Sequence, residues 1–95
     1  MGLTDMATLD ELRAQIDDAD ERLLTAFEAR MRVADGIADY KREHGLPVLD
    51  ASRESQKLQD VCDRCPEDLK GPARRLMTLL FELSRERQTS RMGDD

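Results

Sequence analysis

Residues 9–41, LDELRAQIDDADERLLTAFEARMRVADGIADYK, decide the fold of this 95-residue chain. The stretch contains no proline, and its apolar side chains recur at steps of three, four or seven residues, which is the spacing of one helix face. This apolar face consists of Leu9, Leu12, Ile16, Leu23, Phe27, Ala34 and Ile37. Gly45 follows as a helix stop, so the pattern predicts one helix from about Leu9 to Glu43.

Two cations interrupt the apolar face. Arg30 and Lys41 continue its spacing at positions where apolar residues are expected. A separation of eleven residues is three helical turns plus about 20°, so both cations share one face, with Cα atoms roughly 16 Å apart. Because burying an unpaired cation is unfavourable, this pair predicts a small anionic ligand that is held at both ends.

The predicted first helix is too long for a compact monomer. About 35 residues at 1.5 Å each make a rod of roughly 50 Å, whereas a chain of this size has a radius of gyration of about 12 Å. Because the apolar face continues along the whole rod, a second copy of the chain is the simplest cover for the overhang. The sequence therefore predicts an intertwined homodimer.

The rest of the chain predicts two further helices and no strand, and hence an all-α fold with three helices per chain. The second helix runs from about Ala51 to Asp63, and the third begins between Glu67 and Pro72 and ends near Ser90. The candidate N-caps of the first two helices are Thr8 or Asp10, and Asp50 or Ser52. The expected organisation is a flexible N-terminus over residues 1–8, a helical domain over 9–90 and a flexible acidic tail over 91–95.

Composition excludes several classes of protein. The net charge of −6 argues against broad nucleic-acid binding, since proteins that hold a phosphate backbone present a basic face. No apolar run is long enough to span a bilayer, and residues 1–7 lack the charged and apolar regions of a signal peptide. We therefore expect a cytoplasmic protein that binds neither nucleic acid nor membrane.

Cys62 and Cys65 form a CxxC motif at the end of the second helix. Zinc would need two more ligands, and His44 is the only histidine. Thioredoxin-like chemistry would need a neighbouring strand in a βαβ unit. The motif is therefore interpreted as two reduced, partly buried thiols, and no metal or other cofactor is predicted.

Polar residues also occur on the inner faces of the second and third helices. Ser84 and Gln88 are one turn apart, so their hydroxyl and amide lie on the same side of the third helix. Arg53 and Glu54 lie in the first turn of the second helix, beside its positive N-terminal end. By contrast, the charged run of residues 85–87 is typical of a solvent-exposed face. Together with Arg30 and Lys41, these residues predict a pocket with several cations, neutral donors and one carboxylate.

Five sequence fragments lie in order along the chain between about Leu9 and Gln88. They are Leu12-Arg13-x-x-Ile16-Asp17, Leu23-Leu24-x-x-Phe27-x-x-Arg30, Ala34-x-x-Ile37-x-x-x-Lys41, Gly45-x-Pro47-Val48-x-Asp50-x-x-Arg53-Glu54 and Ser84-x-x-x-Gln88. In this order and spacing they resemble the all-α (type II) chorismate mutase family. The resemblance implies three-helix chains that form a domain-swapped dimer with two active sites.

The resemblance also implies an activity, the Claisen rearrangement of chorismate to prephenate. In that reaction Arg30 would bind a substrate carboxylate, and Lys41 and Gln88 would donate hydrogen bonds to the ether oxygen. The other implied contacts are Ser84 and Arg53 at the ring carboxylate, Glu54 and the backbone around Asp50 at the ring hydroxyl, and Arg13 from the other subunit. Arg13 lies 17 residues before Arg30, roughly 25 Å along the helix, which also favours its use in the partner's site.

Other functions remain open from the sequence. The same fold could act on 4-amino-4-deoxychorismate, since Glu54 could accept a hydrogen bond from its ammonium as readily as from a hydroxyl. It could also release pyruvate from isochorismate. The mutase could require a larger shikimate-pathway enzyme as its partner. A hypothesis of another class is a non-catalytic helical dimerisation module, in which Arg30 and Lys41 only set the register.

Overall fold

The computed structural model describes residues 7–93, and within this range the chain is helical without strands. Its α-helices are α1 (Leu9–His44), α2 (Ala51–Arg64) and α3 (Lys70–Met92), and a short 3-10 helix at Glu67–Leu69 precedes α3. The predicted all-α fold with three helices is confirmed. Of the flexible ends predicted at residues 1–8 and 91–95, residues 1–6 and 94–95 lie outside the described residues.

Both ends of α1 follow from local hydrogen bonds. Thr8, one of the two predicted caps, accepts from the Glu11 N–H at 3.1 Å, while the Thr8 N–H donates to the Glu11 carboxylate at 2.9 Å. The hydrogen bond from the Thr8 backbone N–H to the Glu11 carboxylate is the main cause that lowers the pKa of Glu11. At the other end Gly45 adopts φ +64°, and the N–H of Leu46 donates to the carbonyl of Lys41 at 2.8 Å. The glycine therefore ends α1 one residue after the predicted position.

The chain forms two compact units, with the boundary after Arg30 inside α1. In the first unit the apolar face of α1 is largely exposed, since Leu9, Leu12, Ile16 and Leu23 keep between 46% and 61% of their surface. Phe27 and Arg30 are half-buried.

The second unit contains the small core. Its buried apolar side chains are Ala34, Ala38, Cys62, Met77 and Phe81. Gln88 is the buried polar residue among those described, with 5% of its surface exposed. Helices α2 and α3 pack against each other in this unit.

Two bidentate ion pairs join the last turns of α1 to α3. Arg87 binds both oxygens of Asp35 at 2.7 and 2.9 Å, and Arg91 binds those of Asp39 at 2.9 and 3.0 Å. The hydrogen bonds from Arg87 and Arg91 lower the pKa of Asp35 and Asp39, and the Asp35 carboxylate raises the pKa of Arg87. Because both pairs keep the same sequence offset, these segments of α1 and α3 run in the same direction.

The Arg91 ion pair also explains why α3 is longer than predicted. The helix was expected to end near Ser90, whereas it continues to Met92. Since Arg91 is anchored to Asp39, its turn stays helical, and the N–H of Gly93 closes the end by donating to the carbonyl of Thr89 at 3.0 Å. Residues 91 and 92 therefore belong to α3.

The CxxC motif lies at the end of α2, where Cys62 is a buried free thiol and Cys65 a half-buried one. This agrees with the interpretation of the motif as partly buried thiols. Between residues 7 and 93, we find no cluster of three or more His, Cys, Asp or Glu side chains suited to a metal ion. No helix in the same range has the length and apolar character needed to cross a membrane.

Candidate active site

Lys41 links the end of α1 to the connection that follows it. Its Nζ donates to the backbone carbonyl of Val48 at 2.6 Å and to Oε1 of Gln88 at 3.0 Å. The left-handed residue Gly45 reverses the chain after α1, which returns Val48 to the lysine. An ammonium has three N–H donors, so these two bonds leave one for a ligand.

Gln88 is held from both sides. Its Oε1 accepts from Lys41, and its Nε2 donates to the Ser84 hydroxyl at 3.0 Å. Because residues 84 and 88 are one turn apart on α3, the serine lies beside the amide without distortion of the helix. These two bonds give the amide one orientation and leave its second N–H available. The structure thus brings together three of the predicted site residues.

Glu54 is paired with a residue that the sequence analysis assigned to a solvent-exposed face. Arg85 donates through Nη1 to both Glu54 oxygens, at 2.5 and 2.6 Å. The expectation that residues 85–87 are all exposed is wrong for Arg85, which is half-buried, whereas Glu86 and Arg87 are exposed. The sequence contains a signal for the partial burial of Arg85, because this residue lies one helical turn after Phe81, which is buried.

The Glu54–Arg85 pair lies in a cleft of about 290 Å³ between α2 and α3. The remaining lining of this cleft is Ala51, Ser55, Leu58, Thr78 and Phe81. Its walls are mainly apolar, so the ion pair is shielded from water more than a pair on the open surface.

Asp50 and Arg53 lie at the start of α2, and both are exposed. The carboxylate of Asp50 caps the helix by accepting from the Arg53 N–H at 3.0 Å, which selects Asp50 over Ser52 as the cap. The cap engages the Asp50 side chain and keeps Arg53 beside the positive end of the α2 dipole.

The other two predicted site residues belong to the first unit. Arg13 is exposed there and Arg30 is half-buried. Their part in the site therefore remains a prediction from the sequence.

Lys41 and Gln88 place a positively charged hydrogen-bond donor beside a neutral one. Val48 fixes the lysine and Ser84 fixes the glutamine through a second hydrogen bond. Such a pair is suited to an oxygen atom that gains negative charge, since an ammonium and an amide N–H can both donate to it. The exposed cation Arg53 at the start of α2 favours an anionic ligand there, whereas the charge of Arg85 is balanced by Glu54.

Comparison with known families agrees with this arrangement. The sequence model of the family described as chorismate mutase type II matches residues 12–89. The chain belongs to this family. Membership of the type II chorismate mutases confirms the resemblance that the five fragments indicated, and it agrees with the all-α fold.

Three named relatives are similar to parts of the chain. The T-protein of Haemophilus influenzae is 35% identical over 54 residues, which cover 57% of this chain and 14% of the relative. The 4-amino-4-deoxychorismate mutase of Streptomyces pristinaespiralis is 42% identical over 48 residues, or 50% of this chain and 37% of the relative. The chorismate mutase of Methanocaldococcus jannaschii is 30% identical over 59 residues, or 62% and 60%.

The chain therefore matches less than two thirds of the length of each of these three relatives. The search of solved structures gave no significant match.

Proposed function

We propose that this chain is a chorismate mutase that converts chorismate to prephenate. The observation that carries the proposal is the hydrogen-bonded pair of Lys41 and Gln88, with 3.0 Å between Nζ and Oε1. These are the two residues that the family resemblance assigns to the ether oxygen of the substrate. The match of the family model over residues 12–89 supports the same activity.

The reaction requires no proton transfer and no nucleophile. As the C–O bond of the ether breaks and the new C–C bond forms, negative charge develops on the ether oxygen. The remaining N–H donors of Lys41 and Gln88 stabilise that charge more in the transition state than in the ground state. Because Val48 and Ser84 already hold these side chains, little reorganisation is needed during the reaction.

The cations provide the second part of the mechanism. In the proposed complex Arg30 binds one carboxylate of chorismate, and Arg53 with Ser84 binds the ring carboxylate. Two fixed carboxylates hold the flexible substrate in the compact conformer in which the reacting carbons approach. The ring hydroxyl forms hydrogen bonds with Glu54 and with the backbone around Asp50.

The active enzyme in this proposal is an intertwined homodimer. The exposed apolar side chains of the first unit, such as Leu12 and Ile16, provide a surface for a second copy of the chain. Arg13, exposed on the same segment, then completes the site of the partner subunit. A cytoplasmic location, which is expected from the sequence, belongs to the same proposal. A requirement for a larger shikimate-pathway partner stays the alternative that the sequence left open.

A second candidate function is the rearrangement of the amino analogue. It is favoured by the similarity to a Streptomyces protein named 4-amino-4-deoxychorismate mutase, at 42% identity over 48 residues. Chorismate and this analogue differ at the ring substituent that Glu54 is proposed to meet.

The test is a parallel assay of the purified chain with chorismate, isochorismate and 4-amino-4-deoxychorismate, with products identified by chromatography. Prephenate from chorismate is the expected result. Salicylate from isochorismate, or turnover of the amino compound alone, would contradict the proposed substrate. A folded dimer that converts none of the three would favour the dimerisation module, unless a shikimate-pathway enzyme restores activity.

A further inference from the structure

The carboxylate of Glu54 already has a cation partner in its own chain. Arg85 donates to both of its oxygens at 2.5 and 2.6 Å, and the side chains of Arg85 and Glu54 keep only 32% and 25% of their surface exposed. The pair also lies in the cleft between α2 and α3, against Phe81 and Leu58. This partner distinguishes the site from one in which Glu54 is a single, uncompensated carboxylate.

The ion pair changes what Glu54 can bind. A carboxylate has about four lone-pair positions, so oxygens that accept from Arg85 can still accept from a hydroxyl. The negative charge, however, is already balanced by the guanidinium. A second cation bonded to Glu54 would lie only about 4–6 Å from Arg85, where repulsion between like charges is strong in a partly desolvated cleft.

We propose that Arg85 is a positioning residue that sets substrate specificity. It orients the Glu54 carboxylate and balances its negative charge, so that the site accepts a ring hydroxyl and disfavours a ring ammonium. The inference rests on the proposed function, in which Glu54 meets this ring substituent. It assigns chorismate, rather than its 4-amino-4-deoxy analogue, as the preferred substrate. The specificity is carried by an arginine on α3 that acts through a glutamate on α2.

The test measures kcat/KM for chorismate and for 4-amino-4-deoxychorismate and takes the ratio of the two values. For the natural chain we expect a ratio above one. Arg85→Met removes the guanidinium and leaves an unpaired carboxylate, so the ratio should fall by about tenfold or more. Arg85→Lys retains the charge and should keep the preference for chorismate, within about threefold of the original ratio.

Glu54→Gln provides a variant with the opposite expectation. It leaves Arg85 without a counter-charge, so the ammonium substrate should be rejected more strongly and the ratio should rise. The matched control is Arg75→Met, which removes an exposed arginine from the same helix and should leave the ratio unchanged. A purely structural role for Arg85 would lower both kcat/KM values in parallel, with no change in their ratio.

Helical circular dichroism establishes that each variant is folded. An unchanged ratio in folded Arg85→Met, or a natural chain that prefers the amino substrate, overturns the inference while the mutase activity stands. If Arg85→Met does not fold, the inference is tested with Glu54→Gln. A ratio of the two kcat/KM values that stays constant or falls in Glu54→Gln overturns the inference. If the natural chain converts neither substrate, the proposed function fails and the inference fails with it.

Discussion

Lys41 Nζ lies 3.0 Å from Gln88 Oε1, so the ammonium of α1 orients the amide of α3. The contact joins two residues that are 47 positions apart in the sequence. It places a charged and a neutral donor side by side, with Val48 and Ser84 as their second contacts. The proposed catalysis depends on this preorganised pair, and four predictions address the features that build it or surround it.

The first prediction concerns pH. Because the Gln88 amide does not titrate, we expect kcat/KM for chorismate to be flat around neutral pH. In Gln88→Glu the carboxylate would oppose the developing negative charge, so activity at pH 7 should fall by about 10²-fold and rise as the solution is acidified. A pH–rate profile of both proteins checks this, with Gln56→Glu on the exposed face of α2 as the control.

A flat profile for Gln88→Glu would contradict the role of Gln88 at the ether oxygen. If the natural chain were active only at acidic pH, the assignment of the non-titrating Gln88 amide as a donor to the ether oxygen would be contradicted.

The second prediction concerns the subunit that supplies Arg13. Arg13→Ala and Lys41→Ala homodimers should each be nearly inactive. Subunits mixed in equal amounts, unfolded and refolded together, give about half heterodimers, and each heterodimer has one intact site if Arg13 crosses the interface. We therefore expect about a quarter of the natural activity. Mixed samples as inactive as the parents, although heterodimers are present by native mass spectrometry, would place Arg13 outside the partner's site.

The third prediction concerns the ion pairs between α1 and α3. The pKa of Asp35 is lowered from 3.8, mainly by its hydrogen bonds from Arg87. The stabilisation is therefore present above the unfolded pKa near 3.8 and is lost as the pH falls through the lower folded value. Asp35→Asn should lower Tm by a few degrees at most at neutral pH, because the pair is partly exposed, and the difference should shrink below about pH 4.

Thermal unfolding monitored by circular dichroism between pH 3 and 7 measures this difference. Asp60→Asn is the control, since Asp60 is exposed on α2 and no ion pair to it is found among residues 7–93. A difference in Tm between Asp35→Asn and the natural chain that is equally large at pH 3 and 7 would exclude an ionic origin.

The fourth prediction concerns the turn that returns Val48 to Lys41. Gly45 has φ +64°, so Gly45→Ala should destabilise the fold by about 1–2 kcal/mol. Gly36 offers a control of opposite sign, because it lies inside α1 and an added Cβ would meet nothing within 4 Å. Gly36→Ala should stabilise the helix by about 0.5–1 kcal/mol. Urea unfolding of both variants checks the signs, and equal effects would refute the role of the Gly45 conformation.

The helices could be predicted closely because their ends depend on local residues. Thr8 and Glu11 form their capping bonds within one turn, and Gly45 ends α1 through its own backbone conformation. Helix α3 ends two residues after its predicted end near Ser90, because Arg91 is held by Asp39, 52 positions away. Such a contact leaves no signal in the neighbouring sequence.

The candidate site was only partly predictable for the same reason. Ser84 and Gln88 are one turn apart, so their proximity follows from helix geometry. The partner of Glu54 lies 31 positions away, and its identity depends on how α2 packs against α3. The charged run therefore predicts a surface position for Arg85 together with Glu86 and Arg87, although the spacing of Arg85 from Phe81 is that of the inner face.

The central claim is tested most directly by the rate of conversion of chorismate to prephenate by Lys41→Ala. We expect kcat to fall by about 10²- to 10³-fold or more, with the helical content and the oligomeric state unchanged. Lys70→Ala is the matched control, because Lys70 also donates to a backbone carbonyl, that of Cys62, and lies at the opposite end of α3 from Gln88. Conversion by Lys41→Ala at a rate close to that of the natural chain and of Lys70→Ala would contradict the account.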